Sequence, residues 1–246
     1  MSGGRSLNSK SNLSSKKKKH KPIGNFLYDF VKITGALPAL LWMRPRVIYY
    51  GKKQLPKGGF MASANHCSFV DPIFIHCVLW KRRMYSLATK DLYSSKLRTW
   101  FFGQMHCIQV DKQNFSLNSF HEVTRQLKRG QVVSIYPEGQ LNRDSKEMLA
   151  FKSGVILMAH SAKAPIVPIY LVPPGRWYQR RVAVVGEPID VRALCGDMPT
   201  VDDFNRASDY VHQKEEELKE FYYHKTHKNQ ASELPEAAGQ QQEVRK

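Results

Sequence analysis

The chain has 246 residues, 42% of them hydrophobic, and carries a net charge of +17 at neutral pH. That is room for one good-sized core and excludes a disulfide-stapled miniprotein; its four cysteines, Cys67, Cys77, Cys107 and Cys195, show no framework spacing. So basic a chain predicts an anionic partner, either a nucleic acid, a lipid surface or a phosphorylated substrate, and says nothing of fold.

Residues 1–22 hold seven Lys and Arg and no acid among Ser, Asn and Gly, a composition that predicts a disordered basic tail. Residues 23–47 (IGNFLYDFVKITGALPALLWMRPRV) are long enough to span a bilayer but contain Asp29 and Lys32, which a span would bury at high cost. Two short amphipathic pieces hinged near Gly35–Pro38 suit the membrane interface better, with the lysine run on anionic headgroups. Residues 48–228 form the folded domain and 229–246 a second disordered tail. No secretory signal is evident, and a reducing compartment is expected.

Within the domain, RVIYY (46–50) and Phe60–Ala64 read as strands, the second delivering Asn65-His66 to its end. Asp71-Pro72 then opens an apolar helix to Trp80, with Asp at the N-cap and Pro at the first turn. Met84–Thr89 is strand-like, and Asp91 starts a helix to Gly103. Cys107–Val110 is a short strand. Leu117, Phe120, Val123 and Leu127 share one helical face, and Gly130 stops that helix. Gln131–Tyr136 is a strand ending in Pro137-Glu138-Gly139. Phe151–Ala162 reads as a helix, Ile166–Val172 and Val182–Val185 as strands, and Asp203–Lys225 as a charged, mostly solvent-facing helix. Strands alternating with helices predict a single α/β domain with a largely parallel central sheet flanked by helices.

His66 and Asp71 are five positions apart, across a strand-to-helix turn. A carboxylate there can orient a histidine through one ring nitrogen while the other faces substrate, the base-and-orienter half of a triad that activates a hydroxyl brought by the substrate. The plain alternative for Asp71 is a helix cap. The three His-Cys dipeptides (66–67, 76–77 and 106–107) suit zinc by residue type. Adjacent residues rarely chelate together, and neighbours on an extended chain point apart, which also disfavours Cys67 as a nucleophile beside His66.

In chain order, NHCSFVD (65–71), IQVDK (108–112), YPEG (136–139), FKSG (151–154) and IVPI (166–169) resemble the PlsC-like glycerolipid acyltransferases, of the 1-acyl-sn-glycerol-3-phosphate acyltransferase type, over about residues 25–210. The resemblance implies catalysis by His66 as general base and Asp71 as its orienter. It implies acceptor binding by Glu138 and Gly139 and phosphate binding by Lys112, which stands where the family usually has arginine. Gln140-Leu141 replace the usual Thr-Arg, with Arg143 nearby to substitute, and Lys152 is a third cation for the phosphate. His106-Cys107 occupy a place where a glycine is common. The reaction implied is transfer of a fatty acyl group from acyl-CoA or acyl carrier protein, as substrate rather than cofactor, to a lysophospholipid, with no metal. Amides near Cys67 and Gly139 are candidate oxyanion donors. The setting implied is the cytoplasmic face of an anionic membrane, with no nucleic-acid partner. A same-family enzyme with another lipid acceptor, or an inactive basic membrane- or nucleic-acid-binding protein, is the alternative.

Overall fold

A computed structural model describes residues 25–111, 116–143, 147–176 and 179–232. The expected basic tail of residues 1–22 and the Lys112 assignment lie outside the described residues.

Seven strands form one sheet: β1 (Arg46–Tyr49), β2 (Phe60–Ala64), β3 (Met84–Thr89), β4 (Cys107–Val110), β5 (Val132–Ile135), β6 (Ile166–Leu171) and β7 (Val182–Val185). Their order is β1-β7-β6-β2-β5-β3-β4, and every neighbouring pair is parallel except β6 with β7. β2, β5 and β6 are buried along their whole length, as expected of parallel strands covered on both faces. The described residues also form helices α1 (Phe26–Met43), α2 (Asp71–Val78), α3 (Lys96–Gln104), α4 (Leu117–Lys128), α5 (Gly154–Ala162), α6 (Val191–Cys195) and α7 (Val201–Ser232). One core joins α4, α5 and α7 to the sheet through Val123, Leu127, Val155, Ile156 and Val211. A second joins Met43 at the end of α1 to Phe74, Ile75, Leu79 and the inner residues of β2 and β6. β2 and β5 lie side by side near the middle of the sheet, so their C-terminal ends, carrying Asn65-His66 and Tyr136-Pro137-Glu138, meet above it, where open α/β sheets place ligands.

Three local expectations are corrected. The segment around Gly35 and Pro38 is not a hinge between two pieces but the middle of one helix, with Pro38 inside α1. Both halves of α1 are tied to the domain. Tyr28 is buried and its hydroxyl accepts from the Met84 amide, Arg83 grips Asp29, and Lys32 donates to the Arg82 carbonyl at 2.6 Å; at the far end Met43 fills the core. Asp29 and Lys32 therefore have partners on the protein, while Phe26, Phe30, Ile33, Leu37 and Leu41 form one exposed apolar stripe with Trp42 beside it. Second, Asp91 lies in a 3₁₀ turn (Lys90–Tyr93), and the helix that follows starts after Ser95, whose hydroxyl accepts from the Arg98 amide. Third, the last helix is not mostly solvent-facing: Ala207, Val211, Glu215 and Leu218 form a buried stripe at helical spacing. It also runs past residue 228 to Ser232, because no proline or glycine interrupts it before Pro235.

His106 gives the missing glycine a physical meaning. It adopts φ 58°, the left-handed region where glycine costs nothing. Its ring is sandwiched between Tyr28 at 4.2 Å and Tyr85 at 4.5 Å, both nearly parallel to it. Such stacking offsets the roughly 1–2 kcal/mol of the strained backbone and fastens α1 to β3.

Candidate active site

The site begins with Asn65. Its side chain donates to the Leu171 carbonyl at 3.0 Å and accepts from the Leu171 amide at 2.7 Å, which fastens the end of β2 to β6. The chain then turns, and His66 lies with its ring stacked on Tyr136 at 4.2 Å. Its Nδ1 is 3.2 Å from Asp71 Oδ2, and its side chain keeps 19% of its surface exposed.

Asp71 is wholly buried and does not cap its helix. The N-cap is Val70, which puts Asp71 one position further in than the sequence suggested and turns its carboxylate back toward the preceding loop. Oδ2 accepts from the amides of Cys67 at 2.8 Å and Ser68 at 2.6 Å as well as facing His66. Oδ1 accepts from the Arg181 guanidinium at 2.7 Å. The five-residue spacing thus closes a loop around one carboxylate, which holds the imidazole and the backbone that carries it. Arg181, in the β6–β7 connection, escaped the sequence reading; nothing local distinguishes it among the 38 Lys and Arg.

The YPEG turn approaches from β5. Glu138 is buried, and both its oxygens are taken: Oε1 by the His66 amide at 3.2 Å, and Oε2 by Asn142 Nδ2 and the Leu149 amide. Its carboxylate therefore ties Asn142 and Leu149 to the His66 loop, and the Asn142 amide adds a bond to the His66 carbonyl at 2.7 Å. Gly139 has φ 70°, and a Cβ there would come 2.8 Å from Cε and Nζ of Lys152. The left-handed backbone favours glycine, and a larger residue would also push the tip of that lysine aside. Lys152 precedes α5 instead of opening it, since the helix starts at Gly154 after an N-cap Ser153 that makes no side-chain cap. Arg143 is exposed and stacks its guanidinium over the ring of Phe69, 5.1 Å away; Phe69 lies between His66 and Asp71 in sequence and is 73% exposed. The structure thus brings His66, Asp71, Glu138 and Gly139 together, with Lys152 against Gly139 and Arg143 against Phe69.

The amides of Cys67 and Gly139, candidate oxyanion donors, are engaged internally, the first by Asp71 and the second by the Tyr136 carbonyl at 3.0 Å. Burial, together with the Asp71 charge, pushes the Cys67 thiol up to about 12, so it is a protonated neighbour and not a thiolate nucleophile. His76 Nδ1–H donates to the Pro72 carbonyl at 2.6 Å, and His106 is held in its tyrosine sandwich, so neither His-Cys pair at 76–77 or 106–107 forms a ligand set. Among the described residues no three of His, Cys, Asp and Glu gather in a way that could hold a metal ion.

A buried carboxyl lies behind the site. Glu215 of α7 accepts from the Ser63 hydroxyl at 2.6 Å, on the strand that carries His66. Burial raises its pKa well above the ordinary carboxylate range, and its other oxygen has no partner among the described residues.

A histidine held against a buried carboxylate at the C-terminal end of a parallel strand places the candidate site where open α/β enzymes work. Residues 46–172 match the protein-family model described as Acyltransferase, just over half of the chain, and the protein belongs to that family of acyltransferases. Its relatives include the 1-acyl-sn-glycerol-3-phosphate acyltransferase of Bacillus subtilis (strain 168), 27% identical over 198 residues, covering 78% of this chain and 96% of that one. The enzyme of the same name from Cocos nucifera is 28% identical over 168 residues, 65% of this chain and 52% of that one. The crystal structure of the 1-acyl-sn-glycerophosphate acyltransferase PlsC from Thermotoga maritima superposes with a TM-score of 0.57 at 20% identity, covering 79% of this chain and 80% of that one, so the fold is shared.

Proposed function

We propose that the protein transfers a fatty acyl group from an acyl thioester, carried by coenzyme A or acyl carrier protein, to the free hydroxyl of 1-acyl-glycerol-3-phosphate, giving phosphatidic acid in phospholipid biosynthesis. The observation that carries the reading is the His66–Asp71 pair, with Nδ1 committed to a buried carboxylate. The other ring nitrogen, Nε2, takes the proton of the acceptor hydroxyl, whose oxygen attacks the thioester carbonyl. The tetrahedral oxyanion collapses, the carbon–sulfur bond breaks, and the departing thiolate takes the proton back from the imidazolium. Asp71 holds the ring in the productive tautomer and stabilises its charged form between these steps. No resident cofactor or metal enters this scheme; the thioester is a substrate.

The names of the relatives favour a phosphorylated acceptor. Lys112, Arg143 and Lys152 are the cations assigned to its phosphate, with Glu138 and Gly139 shaping the turn that presents it. Arg143 over the exposed Phe69 supports the assignment, since it sets a guanidinium and an apolar ring side by side, suited to a headgroup and the start of its acyl chain. The apolar stripe of α1 and the lysines of residues 16–19 fit attachment to the cytoplasmic face of an anionic membrane. The test is product formation from a matrix of acyl-CoA and acyl carrier protein donors against 1-acyl-glycerol-3-phosphate and uncharged monoacylglycerol, read by mass spectrometry. Phosphatidic acid forming well ahead of diacylglycerol is the expected result. Equal use of both acceptors would overturn the phosphate assignment.

A further inference from the structure

Arg181 touches the carboxylate of the pair from the side opposite His66. Its guanidinium reaches Asp71 Oδ1, whereas the imidazole faces Oδ2. Asp71 is wholly buried and the Arg181 side chain is 11% exposed, so water screens this ion pair poorly. The backbone of Arg181 is fixed on both sides: its amide donates to the Met43 carbonyl at the end of α1, and its carbonyl accepts from the Arg46 amide at the start of β1. The Phe74 ring supports the guanidinium at 5.0 Å. An arginine has been placed in the interior, against one carboxylate, by three separate elements.

We propose that Arg181 is a positioning residue of the catalytic pair, which fixes Asp71 against His66 and offsets part of its negative charge so that the imidazole is released as a free base. This rests on the reading of His66 as the base. A lone buried carboxylate orients the ring but also holds a proton on it, and a ring that stays protonated cannot accept one from a hydroxyl. A guanidinium on the far oxygen moderates that pull without breaking the alignment. The other titratable groups around the pair are Tyr136 stacked on the ring, Cys67 beside Asp71, and Glu138 on the His66 amide. Tyr136 and Cys67 are both pushed up by burial and are neutral at working pH. Lys152 and Arg143 lie on the rim, against Gly139 and Phe69. Arg181 is therefore the cation that bonds Asp71 directly.

The experiment measures initial rates of acyl transfer from pH 5 to 9 for the full chain, for Arg181→Gln and for Arg181→Lys, with melting curves to verify folding and His66→Ala as a control. Arg181→Gln is expected to lower kcat about tenfold or more while acceptor KM stays within about twofold, because it acts on the base and not on substrate binding. The acid limb of its kcat/KM profile should move to higher pH by about one unit, since the Asp71 charge then acts on the ring uncompensated. Arg181→Lys, which keeps the charge, should return the limb to its wild-type position even where the rate recovers only in part. A folded Arg181→Gln enzyme with an unmoved limb overturns the proposal, as does a lysine variant displaced as far as the glutamine one. Should Arg181→Gln not fold, the limb of Arg181→Lys decides: near wild type it supports the proposal, and displaced by about one unit it overturns it. Full activity of His66→Ala would instead bring down the base assignment, a result distinct from an unmoved limb.

Discussion

Replacing Asp71 by Asn separates a helix cap from the centre of a buried network. The carboxylate accepts four close contacts, from Cys67 N, Ser68 N and His66 Nδ1 on one oxygen and from Arg181 on the other. Asparagine offers one acceptor oxygen and one NH₂ donor. If the oxygen stays with the loop amides, the NH₂ meets the guanidinium, donor against donor; if the side chain flips, the NH₂ meets the two amides and the imidazole. Either way the buried guanidinium loses its counter-charge. Removing one partner of a buried pair costs about 3–5 kcal/mol, and the slight exposure of Arg181 puts the expectation near the lower end, about 3 kcal/mol. Loss of a mere N-cap would cost about 1 kcal/mol. The rate should fall by about 10⁴, the loss seen when the same substitution is made in a Ser-His-Asp triad. A domain stable by about 5–15 kcal/mol survives such a loss, so both quantities are measurable. Urea unfolding gives the first and initial rates of acyl transfer give the second. A loss of no more than about 1 kcal/mol, with a rate within about tenfold of wild type, would refute the network as described.

Glu215→Gln should keep the bond from Ser63 and remove a titration. Because the folded-state pKa of Glu215 is raised, its contribution to stability is complete below the unfolded value and is lost as pH rises through the folded one. Between pH 5 and 8 the wild type should therefore lose up to about 1.4 kcal/mol per pH unit relative to the variant, read from thermal melts across that range; parallel curves would contradict it. The double substitution Ile33→Glu and Leu37→Glu, both exposed on the α1 stripe, should leave the melting temperature unchanged and reduce binding to anionic vesicles about a hundredfold or more, as two insertions worth about 1.5–3 kcal/mol each are removed. Co-sedimentation equal to wild type would rule out the stripe as the inserting face.

Patterns that repeat locally were legible in the sequence. The strand Phe60–Ala64, its delivery of Asn65-His66 and the apolar stripe of α4 follow from alternation, spacing and stop signals along a few residues. The pairing of His66 with Asp71 was legible because both partners lie on one short loop. Arg181 was not, because it meets Asp71 from 110 positions away through the order of strands in the sheet. Glu215 was hidden in a run of three glutamates, where only the helix's orientation tells the wholly buried one from its half-buried neighbours. The internal bonds of Glu138 were not legible for a related reason. Its position in a turn at the C-terminal end of a strand is a local fact, but its three donors come from His66, Asn142 and Leu149, and only the folded loop counts them. Pro38 misled in the opposite direction: a proline predicts a break, and the contacts that hold α1 at Tyr28 and Met43 carry the helix across it.

The central claim is that His66 removes a proton from the acceptor hydroxyl. Its most direct test is single-turnover acyl transfer from acyl-CoA to 1-acyl-glycerol-3-phosphate by wild type and by His66→Ala, each shown by its melting curve to be folded. Phosphatidic acid is expected from the wild type, with a loss of about 10²–10⁴ or more in the rate of the transfer step for the variant and binding of the acceptor retained. Transfer by folded His66→Ala at a rate near that of the wild type would contradict it.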